Sequence, residues 1–312
     1  MVIKEAEQPR WLVPEALAVV EATMEDGTGI SIRRHGNPDG TRIVLSHANG
    51  LASDAYYPFW SLLEDRFDLM VYDFRNHGWN STGSLDAHSI PTFVSDNERV
   101  AETIEANFGA KPRVGVFHSL SGQTAAFEAT QIQGAYSALV LFDPFFCPPG
   151  CDPQHKDRLE RTMDGMVETA RRRRTTYEST TAYADRMSRS PAFERLRPGV
   201  TNLIAEATLR RAAEEPAFEL RCPPEYEAKI YEQGRTYASS VEIGALSCPV
   251  KVIGSDPVEP HSFLPTVAMD EIIALNYDFI PETTHFLQLE EPEECVAAMI
   301  DFIAKVLPNA QL

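Results

Sequence analysis

The chain has 312 residues, of which 28 are lysine or arginine and 46 are aspartate or glutamate, giving a formal net charge of −18. Hydrophobic residues make up 43% and charged residues 24%, which excludes a mainly disordered chain. The acidic excess disfavours nucleic acid and anionic membranes as partners, because both repel negative charge. The sequence also contains no apolar run of the roughly 18–20 residues that a membrane span requires.

The amino terminus and the cysteines indicate a cytoplasmic protein with reduced thiols. Residues 1–11 (MVIKEAEQPRW) mix charges and lack an apolar segment, so we expect no secretory signal. An odd number of irregularly spaced cysteines argues against a disulfide framework. These are Cys147, Cys151, Cys222, Cys248 and Cys295. The first two form a C-x3-C pair without a second ligand pair, and no nucleotide-binding glycine motif is present, so we expect neither metal nor cofactor.

Short apolar segments bounded by turns alternate with longer amphipathic segments, a pattern typical of an α/β protein whose parallel sheet is covered on both faces. The predicted strands are Val19–Met24, Gly29–Arg34, Arg42–Ser46, Asp68–Tyr72, Val114–Phe117, Ala138–Phe142, Val250–Ile253 and Asp278–Ile280. The predicted helices are Tyr57–Glu64, Ser89–Phe108, Leu120–Gln131, Phe263–Asn276 and Pro292–Val306. The first two strands are expected to pair antiparallel around a Glu-Asp-Gly turn.

This alternation is interrupted between about residues 145 and 246. The interruption is rich in Arg, Glu and Ala, has helical periodicity and contains no convincing apolar strand. We therefore predict a helical cap (residues 145–246) inserted into a core domain made of residues 1–144 and 247–312. The run of four arginines, Arg171 to Arg174, is predicted to lie on a solvated helix face, with anion binding as the alternative.

Residues 114–122 (VGVFHSLSG) contain the strongest catalytic signal. A strand enters Ser119 and a helix leaves it, which is the context of a nucleophile elbow. The helix N-terminus then points at the position where an oxyanion develops. The usual elbow pattern is G-x-S-x-G, and here Phe117 replaces the first glycine. A serine that only caps the helix is the alternative interpretation.

A serine nucleophile needs a base and an acid that orients the base. His285 lies on the loop between the last predicted strand and the last predicted helix, from which it can reach Ser119 across the carboxyl edge of the sheet. Two carboxylates compete for the role of the acid: Asp143 directly follows a predicted strand, and Asp256 lies in the segment Gly254-Ser255-Asp256-Pro257 after another.

Four motifs, taken in this order, resemble the α/β-hydrolase superfamily over nearly the whole chain. They are His47-Ala48-Asn49-Gly50, Asp73-Phe74-Arg75-Asn76-His77-Gly78, His118-Ser119-Leu120 and Thr284-His285-Phe286. The resemblance implies the α/β-hydrolase fold, with a helical cap after the sixth strand. In that superfamily the acid usually follows the seventh strand in a G-x-x-D loop, which is one residue shorter here, whereas in a minority it follows the sixth. The resemblance therefore slightly favours Asp143 over Asp256.

The resemblance also implies roles around the nucleophile. The main-chain N–H groups of Asn49 and Leu120 are expected to form the oxyanion hole. His47 is expected to fix its own loop and Arg75 to pin neighbouring loops, and His47 and His77 are candidate substrate contacts. Candidates for an apolar pocket lining are Phe145, Phe146, Met163 and Met166, with packing between cap and core as the equal alternative.

These observations predict a serine hydrolase of the carboxylesterase type, acting on a small hydrophobic or aromatic ester through an acyl-enzyme. The alternatives are a C–C bond hydrolase of ring-cleavage products with the same triad, a cofactor-independent oxygenase, and a ligand-binding receptor. The expected partner is a small-molecule substrate, without nucleic acid or membrane, and a homodimer is left open.

Overall fold

The computed structural model describes residues 10–146, 153–213, 217–258, 274–308 and 310–311. The strands in these ranges are numbered in chain order: β1 (Ala18–Thr23), β2 (Gly29–Gly36), β3 (Arg42–Leu45), β4 (Asp68–Tyr72), β5 (Arg113–His118), β6 (Ala138–Phe142), β7 (Thr176–Tyr177), β8 (Leu209–Arg211), β9 (Phe218–Leu220), β10 (Val250–Gly254) and β11 (Asp278–Phe279). Each of the eight strands predicted from the sequence is present, with ends that differ by no more than two residues.

The central sheet has the strand order β1-β2-β4-β3-β5-β6-β10-β11. The β2 strand pairs antiparallel with both β1 and β4, and every other neighbouring pair is parallel. The carboxyl ends of β3, β4, β5, β6, β10 and β11 therefore share one edge of the sheet. The motifs that follow these strands in sequence are gathered along this edge.

The helices are α1 (Tyr57–Trp60), α2 (Ile90–Phe108), α3 (Leu120–Gln131), α4 (Pro153–Arg171), α5 (Thr180–Ser188), α6 (Val200–Thr208), α7 (Pro224–Ala238), α8 (Leu287–Glu290) and α9 (Pro292–Val306). The helix predicted over Tyr57–Glu64 is α1 with a short 3-10 helix on either side. Most of the helix predicted over Phe263–Asn276 lies outside the described residues, as do Cys147 and Cys151. Within the described ranges, no helix combines the length and apolarity needed to cross a membrane.

Both faces of the sheet are buried, as the continuous apolar strands predict. Successive residues of a strand alternate between the faces. In β6, for example, Val140 and Phe142 pack toward α1, α8 and α9, whereas Leu139 and Leu141 pack toward α2 and α3. The predicted α/β class, with a mostly parallel sheet flanked by helices, is confirmed.

Residues 153–238 contain α4 to α7 and a second, small sheet in the order β7-β9-β8. The sequence analysis foresaw no strand in this interval. These strands have only two or three residues, and part of their pairing is between polar side chains such as Arg210 and Glu219. They therefore lack the apolar alternation by which a strand is recognised. The division of the chain into core and cap stays a prediction.

A buried carboxylate, Glu128 on α3, lies on the α2 side of the sheet. Its Oε2 accepts hydrogen bonds from the Tyr136 hydroxyl at 2.8 Å and from the Asn97 amide at 3.2 Å. Burial raises the pKa of Glu128 from 4.5 to about 7 against the opposing effect of these hydrogen bonds. The folded state thus holds this proton to higher pH than the unfolded state does. The contribution of Glu128 to stability accordingly falls between pH 4.5 and 7 and stays low above that range.

Replacing Glu128 by Gln removes the titration, because an amide does not ionise, while the amide oxygen can still accept both hydrogen bonds. We predict that Glu128→Gln has a higher free energy of unfolding than the wild type above pH 7, by up to about 3 kcal/mol, and that the difference disappears near pH 4.5. Denaturant unfolding of both proteins at pH 5 and pH 8 measures this. A variant that is no more stable than the wild type at pH 8 would contradict the assignment.

Candidate active site

Ser119 occupies a single-residue turn between β5 and α3. Its backbone angles, φ 53° and ψ −114°, lie in a region that non-glycine residues rarely adopt. The side chain of Ser121 closes the turn, since its Oγ accepts from the His118 N–H and donates to the His118 carbonyl, both at 2.9 Å. The turn presents the Ser119 hydroxyl at the N-terminus of α3, as the predicted elbow requires.

The bulky Phe117 that departs from the usual elbow pattern is accommodated by a glycine two residues earlier. Phe117 and Gly115 share one face of β5, and the Phe117 ring is buried against Tyr136. A Cβ atom at Gly115 would lie 2.5 Å from Cε2 of Phe117 and 2.6 Å from Cδ2 of Leu139. Phe117 stands where the usual motif has a glycine, and the missing side chain at Gly115 leaves the space that its ring occupies.

Three of the predicted residues form one hydrogen-bonded row. The Ser119 Oγ lies 3.0 Å from Nε2 of His285, and Nδ1 of His285 lies 2.7 Å from Oδ2 of Asp143. Asp143 is fully buried, and its Oδ1 accepts from the Ser255 N–H at 3.2 Å. Because a carboxylate only accepts, Nδ1 of His285 carries the proton and Nε2 is free to accept one from the serine.

Asp256, the rival for the acid, makes different contacts. Its Oδ2 accepts from the Glu282 N–H at 2.9 Å and its Oδ1 from the Val258 N–H at 3.1 Å. These hydrogen bonds lower the pKa of Asp256. The Asp256 carboxylate thus ties the end of β10 to the loop that leads to His285, whereas Asp143 contacts the imidazole.

Two residues that the sequence analysis did not single out support the pair formed by His285 and Asp143. Glu290 on α8 accepts from the Thr284 N–H at 2.6 Å and also from the Thr284 hydroxyl. The Ser255 hydroxyl lies 3.3 Å from both carboxylate oxygens of Asp143. No local motif marks either residue, because each is recruited by the fold rather than by its own segment.

His118, the residue before the proposed nucleophile, holds the main chain of His285. Its Nε2 lies 2.7 Å from the His285 carbonyl, and its Nδ1 lies 2.6 Å from the Tyr56 hydroxyl. That hydroxyl also accepts from the Ala48 N–H at 3.2 Å. Burial lowers the pKa of His118 well below its usual value, so the ring is neutral, donates through Nε2 and accepts through Nδ1. Tyr56 thereby links the Ala48 loop to the His285 loop.

His47 and His77 are fully buried, and main-chain groups use all four of their ring nitrogens. The Gly50 N–H, for instance, donates to Nε2 of His77 at 3.2 Å. Burial lowers the pKa of both rings, so both are neutral. Both rings serve to fix the loops after β3 and β4, and neither presents a free nitrogen to a substrate.

The two N–H groups expected to bind an oxyanion are available. Among the described residues, no acceptor bonds the main-chain N–H of Asn49 or of Leu120. Leu120 begins α3, where the first N–H groups have no partner within the helix. The side chain of Asn49 is engaged elsewhere, since its amide donates to the Glu227 carbonyl on α7 at 2.9 Å.

Arg75 makes the loop-pinning contacts that the resemblance implied. Its guanidinium bonds both carboxylate oxygens of Asp96 on α2 at 2.6 Å, and Asp26 in the β1–β2 turn at 2.6 Å. The loop after β4 is thereby tied to α2 and to the β1–β2 turn.

A cavity of about 520 Å³ lies between the loop after β3 and residues 169–193. Asn49, Gly50 and Leu51 form one wall, and Phe286, the neighbour of His285, contributes to another. The four apolar candidates lie elsewhere: Phe145 beside the His285 ring with centroids 5.8 Å apart, Phe146 in the core, and Met163 and Met166 in the cluster between α4 and α7.

The fit of Phe117 against Gly115 can be tested by adding one methyl group. We predict that Gly115→Ala lowers the free energy of unfolding by about 1–3 kcal/mol, because the new Cβ overlaps packed side chains. The matched control is Gly165→Ala on α4, where no described atom other than the helix's own backbone and the two neighbouring residues lies within 4 Å of the added Cβ. This control is expected to gain about 0.5–1 kcal/mol from helix propensity. Denaturant melts that show the same change in both variants would contradict this explanation of the elbow.

Solved structures of hydrolases and esterases are similar to this fold. One is E-2-(acetamidomethylene)succinate hydrolase, with a TM-score of 0.70 and 16% identity over 92% of this chain and 98% of that chain. A carboxylesterase structure from Nitrososphaera gargenis has a TM-score of 0.68 and 15% identity over 94% and 100%. A thermophilic esterase from Thermogutta terrifontis has a TM-score of 0.62 and 21% identity over 93% and 99%.

The comparison with curated protein sequences gives no significant match. A profile described as "Alpha/beta hydrolase family" matches residues 43–298. This match spans from β3 into α9 and includes all four motifs of the sequence analysis. The chain therefore belongs to the alpha/beta hydrolase family.

Proposed function

We propose that this protein is a serine hydrolase that cleaves a carboxylic ester of a small molecule. The observation that carries the proposal is the row of Ser119 Oγ, His285 Nε2 and Asp143 Oδ2, with separations of 3.0 and 2.7 Å. A serine hydroxyl within hydrogen-bond reach of an imidazole that is itself oriented by a buried carboxylate is the arrangement that activates serine as a nucleophile.

In the proposed reaction, His285 takes the Ser119 proton as Oγ attacks the ester carbonyl. The oxygen of that carbonyl becomes negative and accepts hydrogen bonds from the N–H groups of Asn49 and Leu120. His285 then gives the proton to the leaving alkoxide as the C–O bond breaks, which leaves the acyl group on Ser119. A water molecule deprotonated by His285 releases the acid and restores the serine.

Asp143 stabilises the imidazolium that forms in each half of this reaction and keeps the Nδ1 proton of His285 in place. Its complete burial strengthens this interaction, since little water competes for the carboxylate. We assign the acid to Asp143 because both carboxylate oxygens of Asp256 accept hydrogen bonds from main-chain N–H groups.

We further propose that residues 145–246 act as a cap over the carboxyl edge of the sheet. The contact between the Asn49 amide and the Glu227 carbonyl joins this segment to the loop after β3. Tyr177, Tyr183 and Tyr231 line the cavity beneath it, which suits a substrate with an aromatic or apolar part. Esterase and carboxylesterase structures among the similar folds agree with this choice of bond.

The nucleophile is tested with short p-nitrophenyl esters. We predict that Ser119→Ala lowers kcat by at least about 10⁴-fold, because no other group supplies the attacking oxygen. Its circular dichroism spectrum and melting curve should match those of the wild type, which controls for the fold. Ester turnover that survives in Ser119→Ala would overturn the proposal.

The choice of acid is tested by comparing two isosteric variants. Asp143→Asn should lower kcat by about 10⁴-fold, because an amide no longer stabilises the imidazolium or fixes its tautomer. Asp256→Asn should change kcat by less than about tenfold, since the amide oxygen keeps one of the two loop hydrogen bonds. The reverse ranking of the two variants would assign the acid to Asp256.

A further inference from the structure

The run of four arginines at the end of α4 divides into two pairs with different surroundings. Arg171 bonds Glu225 and Glu232 at 3.2 and 2.6 Å, and Arg172 bonds Glu168 at 3.1 Å, so these two are neutralised on the outer surface. The helix ends at Arg171, and the chain then turns so that Arg173 and Arg174 line the cavity beside Asn49.

Two further arginines reach the same cavity from α5. Arg186 lies in the last turn of this helix and Arg189 caps it, and residues three apart share one helix face. Tyr183, three residues before Arg186, lies on that face and also lines the cavity. The spacing Tyr183, Arg186, Arg189 therefore aims one aromatic ring and two guanidinium groups at one space.

The positive charge of this cavity is largely uncompensated. Among the described residues, Glu227 is the one carboxylate in its lining, and it is paired with Arg173, whose other nitrogen donates to the Tyr183 hydroxyl at 2.8 Å. Within the described ranges, no carboxylate lies within 4 Å of the guanidinium groups of Arg174, Arg186 or Arg189. Three unpaired cations thus converge in a chain whose net charge is −18.

The three residues are solvent-exposed, so water screens part of their mutual repulsion, and an anion bound between them would offset the rest. Guanidinium groups match the planar, two-oxygen geometry of carboxylate and phosphate. Asn49, which belongs to the proposed oxyanion hole, and Phe286, which follows His285 in the chain, both line this cavity. An anion bound in the cavity would therefore lie close to the proposed catalytic residues.

We infer that the substrate of this enzyme carries an anionic oxygen group, a carboxylate or a phosphate, which Arg174, Arg186 and Arg189 bind while Ser119 attacks the ester. This inference rests on the proposed function and adds the substrate class to it. Arg173 builds the wall of the site through Glu227 and Tyr183 and is not itself free to bind the anion.

Matched p-nitrophenyl esters test the inference. The p-nitrophenyl monoester of glutaric acid carries a terminal carboxylate, a phosphonate of similar length replaces that carboxylate with a phosphate-like group, and p-nitrophenyl valerate carries no charge. We expect kcat/KM to favour one of the charged esters over valerate by at least about tenfold, mainly through KM. The preferred charged ester identifies the group, and the preference should shrink as salt concentration rises.

The double variant Arg186→Gln/Arg189→Gln should lose this preference, through a lower kcat/KM for the charged esters. Arg171→Gln/Arg172→Gln is the matched control, because it removes the same two charges from residues near the cavity that do not line it. Unchanged preference in the double variant, or equal kcat/KM for all three esters in the wild type, overturns the inference and leaves the proposed function standing.

A binding measurement separates the two proposals. Calorimetric titration of Ser119→Ala with glutarate and with inorganic phosphate does not depend on turnover. Binding that is lost in the triple variant Ser119→Ala/Arg186→Gln/Arg189→Gln supports the anion site even if no ester is hydrolysed. If neither glutarate nor phosphate binds but neutral esters are hydrolysed, the anion site is refuted and the proposed hydrolase function stands.

Discussion

The burial of the Asp143 carboxylate is the constraint on which the rest of the site depends. A buried charge is costly unless it is paired and hydrogen-bonded, and here the partners come from separate strands. Ser255 follows β10, and His285 follows β11. Satisfying this one group fixes the relative positions of three strand ends and aims the His285 imidazole at Ser119. The same pairing that stabilises the fold locally therefore sets the geometry proposed for catalysis.

The loops around this pair are held by neutral, buried side chains rather than by further charges. The Tyr56 hydroxyl joins the Ala48 N–H to His118, and His118 bonds the His285 carbonyl. His77 holds Gly50 in the same way. The main-chain N–H groups proposed to receive the oxyanion are thus positioned before substrate arrives, which is the preorganisation that electrostatic catalysis requires.

The sequence predicted the elements that have their own local signal. The boundaries of α3 and β6 are those predicted, because apolar periodicity and turn residues mark both ends. It did not decide between Asp143 and Asp256, since both end a strand and only the direction of the side chain distinguishes them. Tyr56 and Glu290 were missed because their roles depend on contacts between segments distant in sequence. The arginine run was assigned to a solvated face, a description that fits the exposed Arg171, Arg172 and Arg174 and fails for Arg173, which is partly buried and paired with Glu227.

The most direct test of the account is mass spectrometry of the protein quenched during turnover of a p-nitrophenyl ester. We predict an increase in mass equal to the acyl group, located on the peptide that contains Ser119 and absent from the Ser119→Ala variant. Turnover with no covalent adduct, or an adduct on another residue, would contradict the proposed nucleophile.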